Sequence, residues 1–218
     1  MRMMKAMTSR SVQMALTALA ISVAAVVAIS AAVKFNATFK SIDAGSMSFA
    51  GKKVAALVMS NDSSLRVSGE ESLARELSAR GMQAVPTYRI APAEELRQAE
   101  TAKPWFEKAG VEGVVVVRPV AVETRQPYTT GTWLSPNYST LWGYYGYGWS
   151  SVYVIGTVPK ETVVVVETTI YSVPRNQLVW AAVTQSTNPR NLQAFVGELV
   201  KETVKEMQKQ GLAKSQPR

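Results

Sequence analysis

The sequence predicts an α/β fold, a single three-layer domain with a mixed sheet, preceded by an N-terminal hydrophobic export segment. Two observations lead to this fold class. In the first half of the chain, three apolar runs of strand length alternate with helix-like stretches, an order typical of parallel strands joined by right-handed crossovers. In the second half, two β-rich runs are separated only by Pro174-Arg175-Asn176, which indicates an antiparallel hairpin, and a closing helix follows.

Length and charge set the first limits. The chain has 218 residues, 47% of them hydrophobic, which is enough for one sizeable core and cramped for two. The formal charge is +8, but four of the 24 basic residues lie within residues 1–34, which hold no acidic residue, so 20 basic residues face 16 acidic ones beyond residue 34. This small excess of basic residues is dispersed along the chain, so it is weak support for nucleic-acid binding. Proteins that bind nucleic acids usually have a concentrated basic stripe. We expect no nucleic-acid partner.

The sequence contains neither cysteine nor histidine. This composition excludes zinc sites built on thiolate or imidazole, cysteine nucleophiles, Ser-His-Asp triads and disulfide bonds. We therefore expect no metal, no cofactor and no catalytic residue of these classes.

The N-terminus has the order of a secretory signal. Residues 1–13 carry Arg2, Lys5 and Arg10 without an acidic residue, and residues 14–33 are uncharged. Small residues at Ser30-Ala31-Ala32 would suit a signal peptidase, so residues 1–33 are either a cleaved signal peptide or, because a spanning helix needs roughly 20 residues, an uncleaved anchor at residues 14–33. In both cases the remaining chain is exported, and in a Gram-negative bacterium it is periplasmic.

Beyond the export segment, we predict a linker with an edge strand at 34–51, an α/β domain at 52–212 and a disordered tail at 213–218. The predicted strands are Ala37–Ile42, Val54–Ser60, Met82–Tyr88, Val111–Glu123, Glu161–Val173 and Gln177–Ser186. The predicted helices are Ser68–Arg80, a helix opened by Pro92, a short turn opened by Pro104, and a closing helix from Pro189 to Gly211.

An uncharged insertion, Gln126–Pro159, separates the two halves of the domain. Glycines alternate with aromatic residues in it, so we expect a flexible backbone that carries large amphipathic rings. Half of the aromatic residues of the protein lie in this insertion, and they are the candidate binding residues: Tyr128, Trp133, Tyr138, Trp142, Tyr144, Tyr145, Tyr147, Trp149 and Tyr153.

Three interpretations of this insertion stay open. Tyrosine and tryptophan suit protein interfaces, sugar stacking and lipid headgroup depth, so the insertion is a candidate contact surface. It is also long enough for a two-stranded hairpin that enters a bilayer in an oligomer. The third interpretation is a flexible low-complexity loop, or a loop folded over the protein's own sheet.

Three other patterns point less clearly to a site. Gly143, Gly146 and Gly148 lack the Lys-Ser/Thr partner of a phosphate loop. Glu123 and Glu167 would approach each other if their strands pair, as in a hydrolase. The more ordinary arrangement for glutamates at strand ends is solvation, or pairing with an arginine such as Arg118 or Arg125. Asp62 follows the first central strand, where open sheets often bind ligands, or it belongs to a plain turn.

The motifs resemble, in their order, a family of uncharacterised exported proteins and lipoproteins of Gram-negative bacteria. They are KKVAALVMSND from Lys52, LARELSARG, KAGVEGVVVVR, a Tyr/Gly-rich insertion, VETTIYSV and LVWAAVTQST. The architecture is similar to that of the TolB amino-terminal domain and of curli-secretion-type envelope lipoproteins. The family usually carries a lipobox cysteine, and this chain has no cysteine to which a lipid could be attached.

The preferred hypothesis from sequence is a non-enzymatic periplasmic envelope protein. It would bind an envelope protein, a glycan or a membrane surface through the uncharged insertion. The alternatives are a subunit of a membrane-inserting homo-oligomer and an envelope hydrolase that uses Glu123 and Glu167.

Overall fold

In the computed structural model, residues 33–120, 128–152, 163–187 and 192–212 are described, and their six strands form one mixed sheet. The order across the sheet is β1-β6-β5-β4-β2-β3. The strands are β1 (Lys34–Lys40), β2 (Lys53–Val58), β3 (Gln83–Pro86), β4 (Gly113–Val120), β5 (Val163–Ser172) and β6 (Gln177–Thr187).

Six helices belong to the described part of the chain, and short 3-10 turns join some of the elements. The turns are Ile42–Ser46, Thr87–Arg89 and Glu95–Arg97. The helices are α1 (Ser63–Ser78), α2 (Ala99–Lys108), α3 (Thr130–Trp133), α4 (Pro136–Ser139), α5 (Leu141–Ser150) and α6 (Leu192–Lys209).

The strand directions confirm the predicted mixed sheet. β2 runs parallel to β3 and β4, whereas β4, β5, β6 and β1 pair antiparallel. All eight residues of β4 are buried, which is the reason that its sequence is apolar on both faces. Pro86 ends the edge strand β3, where its missing N–H breaks no ladder. Asn176 turns the β5–β6 hairpin with a φ of 46°.

Two hydrophobic clusters, one on each face of the sheet, make the three layers. On one face, α1 contributes Leu73 and Leu77 and α6 contributes Leu199 and Met207 to a cluster that contains Val115 of β4. On the other face, Phe106 of α2 packs with the aromatic residues of α3, α4 and α5 and with Val114. The aromatic insertion therefore serves as part of a layer.

Two element boundaries differ from the prediction for identifiable reasons. Helix α1 begins at Ser63, five residues before the predicted start, because the Asp62 carboxylate accepts from the backbone N–H groups of Ser64 and Leu65 at 2.8 and 3.0 Å. Asp62 is thus the N-cap of a helix, a role that the sequence analysis did not assign to it. Pro104 lies inside α2 and does not open a separate turn.

The structure also corrects the predicted flexible insertion. Residues 130–133, 136–139 and 141–150 are helical, so this part of the segment is neither a membrane-entering hairpin nor an irregular loop. Pro136 occupies the first turn of α4, where its fixed φ suits a helix start, and the Thr140 hydroxyl caps α5 by accepting from the Gly143 N–H at 3.1 Å. The interpretation as a segment folded over its own sheet is the one that matches.

Two of the glycines in α5 allow close packing and do not provide flexibility. A Cβ on Gly143 would overlap the carbonyl oxygen of Pro136 and lie 2.8 Å from the Thr140 hydroxyl oxygen. A Cβ on Gly148 would lie 2.6 Å from the Met59 sulfur. Gly146 differs from both, because it is exposed and a Cβ there meets nothing within 4 Å.

Some predictions fall on residues outside the described ranges. They are the export segment apart from Val33, the tail at 213–218, the start of the closing helix at 188–191, the strand residues 121–123 and 161–162, and the insertion residues 126–127 and 153–159. Glu123 and Tyr153 are among them.

We expect alanine to have opposite effects at Gly143 and Gly146. Gly143→Ala should destabilise the fold by about 1–3 kcal/mol, because the methyl group would overlap backbone atoms. Gly146→Ala should stabilise it by about 0.5–1 kcal/mol, because alanine is the better helix former and open space receives its side chain. Urea unfolding measures both free energies. Equal effects at the two positions would contradict the packing role of Gly143.

Candidate functional site

The nine candidate binding residues separate into three groups. Four are buried, against the expectation of an exposed contact surface, because they form the core between the helices and the sheet: Trp133, Tyr138, Tyr144 and Tyr145. Four others are half-buried and pack against the same core: Tyr128, Trp142, Tyr147 and Trp149. Tyr153 lies outside the described residues. Among the eight of these residues that the structure describes, only the half-buried group can offer ring surface to a partner in this conformation.

A buried ion pair lies beneath the aromatic helices. Arg118 of β4 and Glu167 of β5 are directly opposite in the strand register and are 1% and 0% exposed. The Arg118 Nη2 and Nε atoms donate to Glu167 Oε2 at 2.5 and 3.0 Å. Pairing with Arg118 is one of the ordinary arrangements expected for Glu167, and its full burial excludes the solvated one.

Residues of the insertion complete the hydrogen bonding of this pair. The hydroxyls of Tyr128 and Tyr138 donate to Glu167 Oε1, the latter at 2.8 Å, and the Tyr144 hydroxyl donates to Oε2 at 3.1 Å. Arg118 Nη1 donates to the Ser151 hydroxyl at 2.6 Å. Burial, reinforced by the negative charge of Glu167, raises the pKa of each of the three phenols. We call Arg118, Glu167 and these four partners the clamp.

The ion pair at the centre of the clamp fixes structure and is closed to solvent. Both carboxylate oxygens of Glu167 accept hydrogen bonds, and its side chain is fully buried, so in this conformation it cannot activate water. The hydrolase hypothesis also requires Glu123, which lies outside the described residues, and their separation stays untested.

A second buried carboxylate, Glu70 of α1, was not singled out from the sequence. It accepts from the Thr87 hydroxyl at 2.6 Å, from the Tyr88 N–H at 2.9 Å and from the Val58 N–H at 3.4 Å. Burial raises the pKa of Glu70 despite these bonds. It joins α1 to the end of β2 and to the turn after β3. In the sequence, Glu70 is only a glutamate on a helix face among alanines and leucines. This pattern is too common to identify a buried carboxylate.

An open cleft of about 450 Å³ lies between the start of α2 and α5. One wall is the stretch 97–100, and the other comes from one face of α5, at the helical spacing of four and then three residues: Trp142, Gly146 and Trp149, with Ser150 beside them. The opposite face of α5 is buried in the core through Leu141, Tyr144, Tyr145 and Gly148. The cleft is our candidate site.

Interactions with the core hold the walls of the cleft in place. The Tyr145 hydroxyl donates to the Leu96 carbonyl at 2.8 Å, which connects α5 to the turn before α2. Phe106 of α2 stacks on Trp142 with centroids 6.0 Å apart, and its ring meets Tyr145 edge-on at 6.1 Å. The Arg97 guanidinium lies 5.8 Å from the centre of the Trp149 ring. The cleft is thus preformed by rigid contacts.

The described residues form neither a metal site nor a membrane-spanning helix. No group of three acidic side chains comes together there in a way that could hold a metal ion. Across the same residues, the helices are too short or too polar to span a bilayer. The anchor predicted at residues 14–33 is outside this part of the chain except for Val33.

Comparison with known proteins gives only distant likenesses. No protein-family profile matches the chain, and no curated protein matches it. A PelC dodecamer from Paraburkholderia phytofirmans is 18% identical, with 82% of this chain and 97% of that chain covered, at a TM-score of 0.43. Lipoprotein GNA1162 from Neisseria meningitidis is 12% identical, with 72% and 99% covered, at a TM-score of 0.39. Similarity at this level is no basis for a function, and the envelope location and the homo-oligomer stay predictions.

Removing one member of the buried ion pair should lower the free energy of unfolding far more than removing a surface ion pair. Arg118→Met leaves the Glu167 charge buried and uncompensated, so we expect a loss of about 3–5 kcal/mol in the free energy of unfolding. Arg118→Met combined with Glu167→Gln should lose less than the single variant, because both charges are gone. Arg89→Met, which removes an exposed pair with Glu71, is the control and should cost at most about 1 kcal/mol. Equal losses for Arg118→Met and Arg89→Met in urea unfolding would disprove the clamp.

At alkaline pH, the phenols with raised pKa values should ionise only when the protein unfolds. Tyr128, Tyr138, Tyr144, Tyr145 and Tyr171 have raised pKa values in the folded state, chiefly through burial. Their neutral forms therefore stabilise the fold fully below the unfolded value of about 10, and this contribution is lost as pH rises above it. We expect five of the eight tyrosines to resist ionisation until the protein unfolds, as followed by phenolate absorbance beside circular dichroism. A smooth titration of all eight with the fold intact would refute this.

Proposed function

We propose that this protein is a non-enzymatic binding module of the bacterial cell envelope and that its ligand site is the cleft between α2 and α5. The observation that carries the proposal is the arrangement of Trp142 and Trp149. Both line an open cleft, while four other rings of the insertion are buried in the core. Half-buried indoles on a fixed wall provide large contact area with little loss of side-chain entropy on binding.

The division within the insertion supports a site smaller than the one the sequence suggested. The clamp holds Tyr138 and Tyr144 against the sheet, so these rings serve stability. Deleting residues 131–156 would remove part of the core, and loss of binding in such a variant would report unfolding. A substitution inside the cleft is the informative change.

The distribution of acidic groups favours binding over chemistry. The two fully buried carboxylates, Glu70 and Glu167, bond to neighbouring protein groups, and neither lines the cleft. Glu100 lines the cleft and is exposed, as an ordinary surface carboxylate is. A paired acid and base, which hydrolysis would need, is not among the cleft residues.

The envelope location rests on the sequence. Basic residues at positions 2, 5 and 10 precede the uncharged stretch 14–33, which is the order that directs a chain to export and leaves its basic end inside. A cleft on an exported domain would meet the molecules of the envelope.

Filling the cleft should abolish binding without harming the fold. Gly146→Leu places a side chain in the cleft from a position with open space, and Gly197→Leu is the matched control, since Gly197 lies in α6 and also has no atom within 4 Å of an added Cβ. The probes are three sets of small molecules: neutral disaccharides, tripeptides and a short-chain phosphocholine lipid below its micelle concentration.

Saturation-transfer difference NMR would measure contact of each probe with the protein. We expect at least one set to bind the unchanged protein and Gly197→Leu, and to lose its signal with Gly146→Leu. Absence of binding by all three sets, or binding that survives the filled cleft, would overturn the proposal.

A further inference from the structure

The ring surface that the cleft offers is hydrocarbon. The indole nitrogen of Trp149 is buried, so the part of this ring that reaches the cleft consists of carbon atoms. Trp142 has one side against Phe106, with an angle of 29° between the ring planes, and its remaining surface borders the cleft. Trp149 therefore presents an apolar face to the cleft, and Trp142 presents ring surface on the side that Phe106 does not cover.

The facing wall is polar and of mixed character. Arg97 only donates hydrogen bonds, the Glu100 carboxylate only accepts them, and the Gln98 amide does both. All three are exposed. Gln98 is the N-cap residue of α2, yet its side chain makes no capping hydrogen bond. Its amide therefore remains available to a ligand, and the formal charges of Arg97 and Glu100 cancel.

We propose that the cleft takes a neutral pyranose unit of a glycan, a proposal that rests on the function proposed above. A sugar ring has an apolar face of C–H groups, which suits an indole, and a rim of hydroxyls that both donate and accept. One face of the ligand would lie on Trp142 and Trp149. The hydroxyls at the rim of the sugar would contact Arg97, Gln98 and Glu100 at the opposite wall.

Other ligand classes fit this chemistry less well. An acyl chain in the cleft would take water from Arg97 and Glu100 without replacing their hydrogen bonds, which is unfavourable. A strongly anionic ligand would meet Glu100, and a strongly cationic one would meet Arg97. The volume of about 450 Å³ is in the range of sites for small molecules and fits a few sugar units better than an extended macromolecular surface.

The test uses the full chain and titrates it with neutral disaccharides, cellobiose and N,N′-diacetylchitobiose, followed by tryptophan fluorescence and by NMR. Gln98→Ala and Glu100→Ala should each weaken disaccharide binding about five- to tenfold, the effect of losing one or two hydrogen bonds. Glu107→Ala is the matched control, because Glu107 is an exposed glutamate of the same helix that does not line the cleft. It should leave the affinity unchanged.

The outcomes separate this inference from the proposed function. Disaccharide binding that is lost in Gly146→Leu and weakened in Gln98→Ala supports both. Binding of the tripeptides or of the phosphocholine lipid, lost in Gly146→Leu, without any binding of disaccharides would overturn the sugar assignment and leave the cleft as the site. If no probe binds, both proposals fail. Disaccharide binding that is equally strong in Glu100→Ala, Gln98→Ala and Glu107→Ala would also refute the polar wall proposed here.

Discussion

The ion pair between Arg118 and Glu167 is the constraint on which the aromatic layer depends. Two charges at the centre of a sheet face are costly unless both are fully hydrogen-bonded, because neither can be solvated there. The strands themselves supply only the direct contact between Arg118 and Glu167. Tyrosine hydroxyls and Ser151, all from the insertion, complete the shell around the pair, and the Arg118 guanidinium lies 5.0 Å from the centre of the Tyr147 ring. The uncharged insertion and the one buried ion pair beneath it are therefore two parts of a single arrangement.

Helix α5 shows how ten residues can serve both the stability of the fold and the proposed binding site. Its inner face carries Tyr144 and Tyr145. The Tyr144 hydroxyl donates to the Glu167 carboxylate and the Tyr145 hydroxyl donates to the Leu96 carbonyl. Its outer face carries Trp142 and Trp149 at the cleft. The glycines follow the same division, since Gly148 lies close to Met59 inside and Gly146 leaves space outside. A sequence that is aromatic on every side thus contains two faces with different tasks.

Local sequence patterns were sufficient to predict the sheet. The runs that became β2 and β4 are apolar at successive positions, which is the pattern of strands covered on both faces, and the hairpin loop lies between two β-rich runs. The patterns failed where one residue is compatible with two local structures. Pro104 suits the first turn of a helix, but here it lies inside α2. The helices of the insertion were missed because glycine and tyrosine are poor helix formers and no charged residue marks a polar face. The clamp depends on the register of β4 against β5, which local patterns do not determine.

The position of β1 has a consequence for how an exported form of this protein would be held. The stretch 34–51, expected in part to be a linker, begins with an edge strand at Lys34 that is bonded to β6 along its length. If the hydrophobic stretch before it were retained in a bilayer, the chain would have almost no slack, since each extended residue spans only about 3.5 Å. The domain would then rest against the membrane by one edge of its sheet, with restricted rotation, and could not sample the envelope on a long tether.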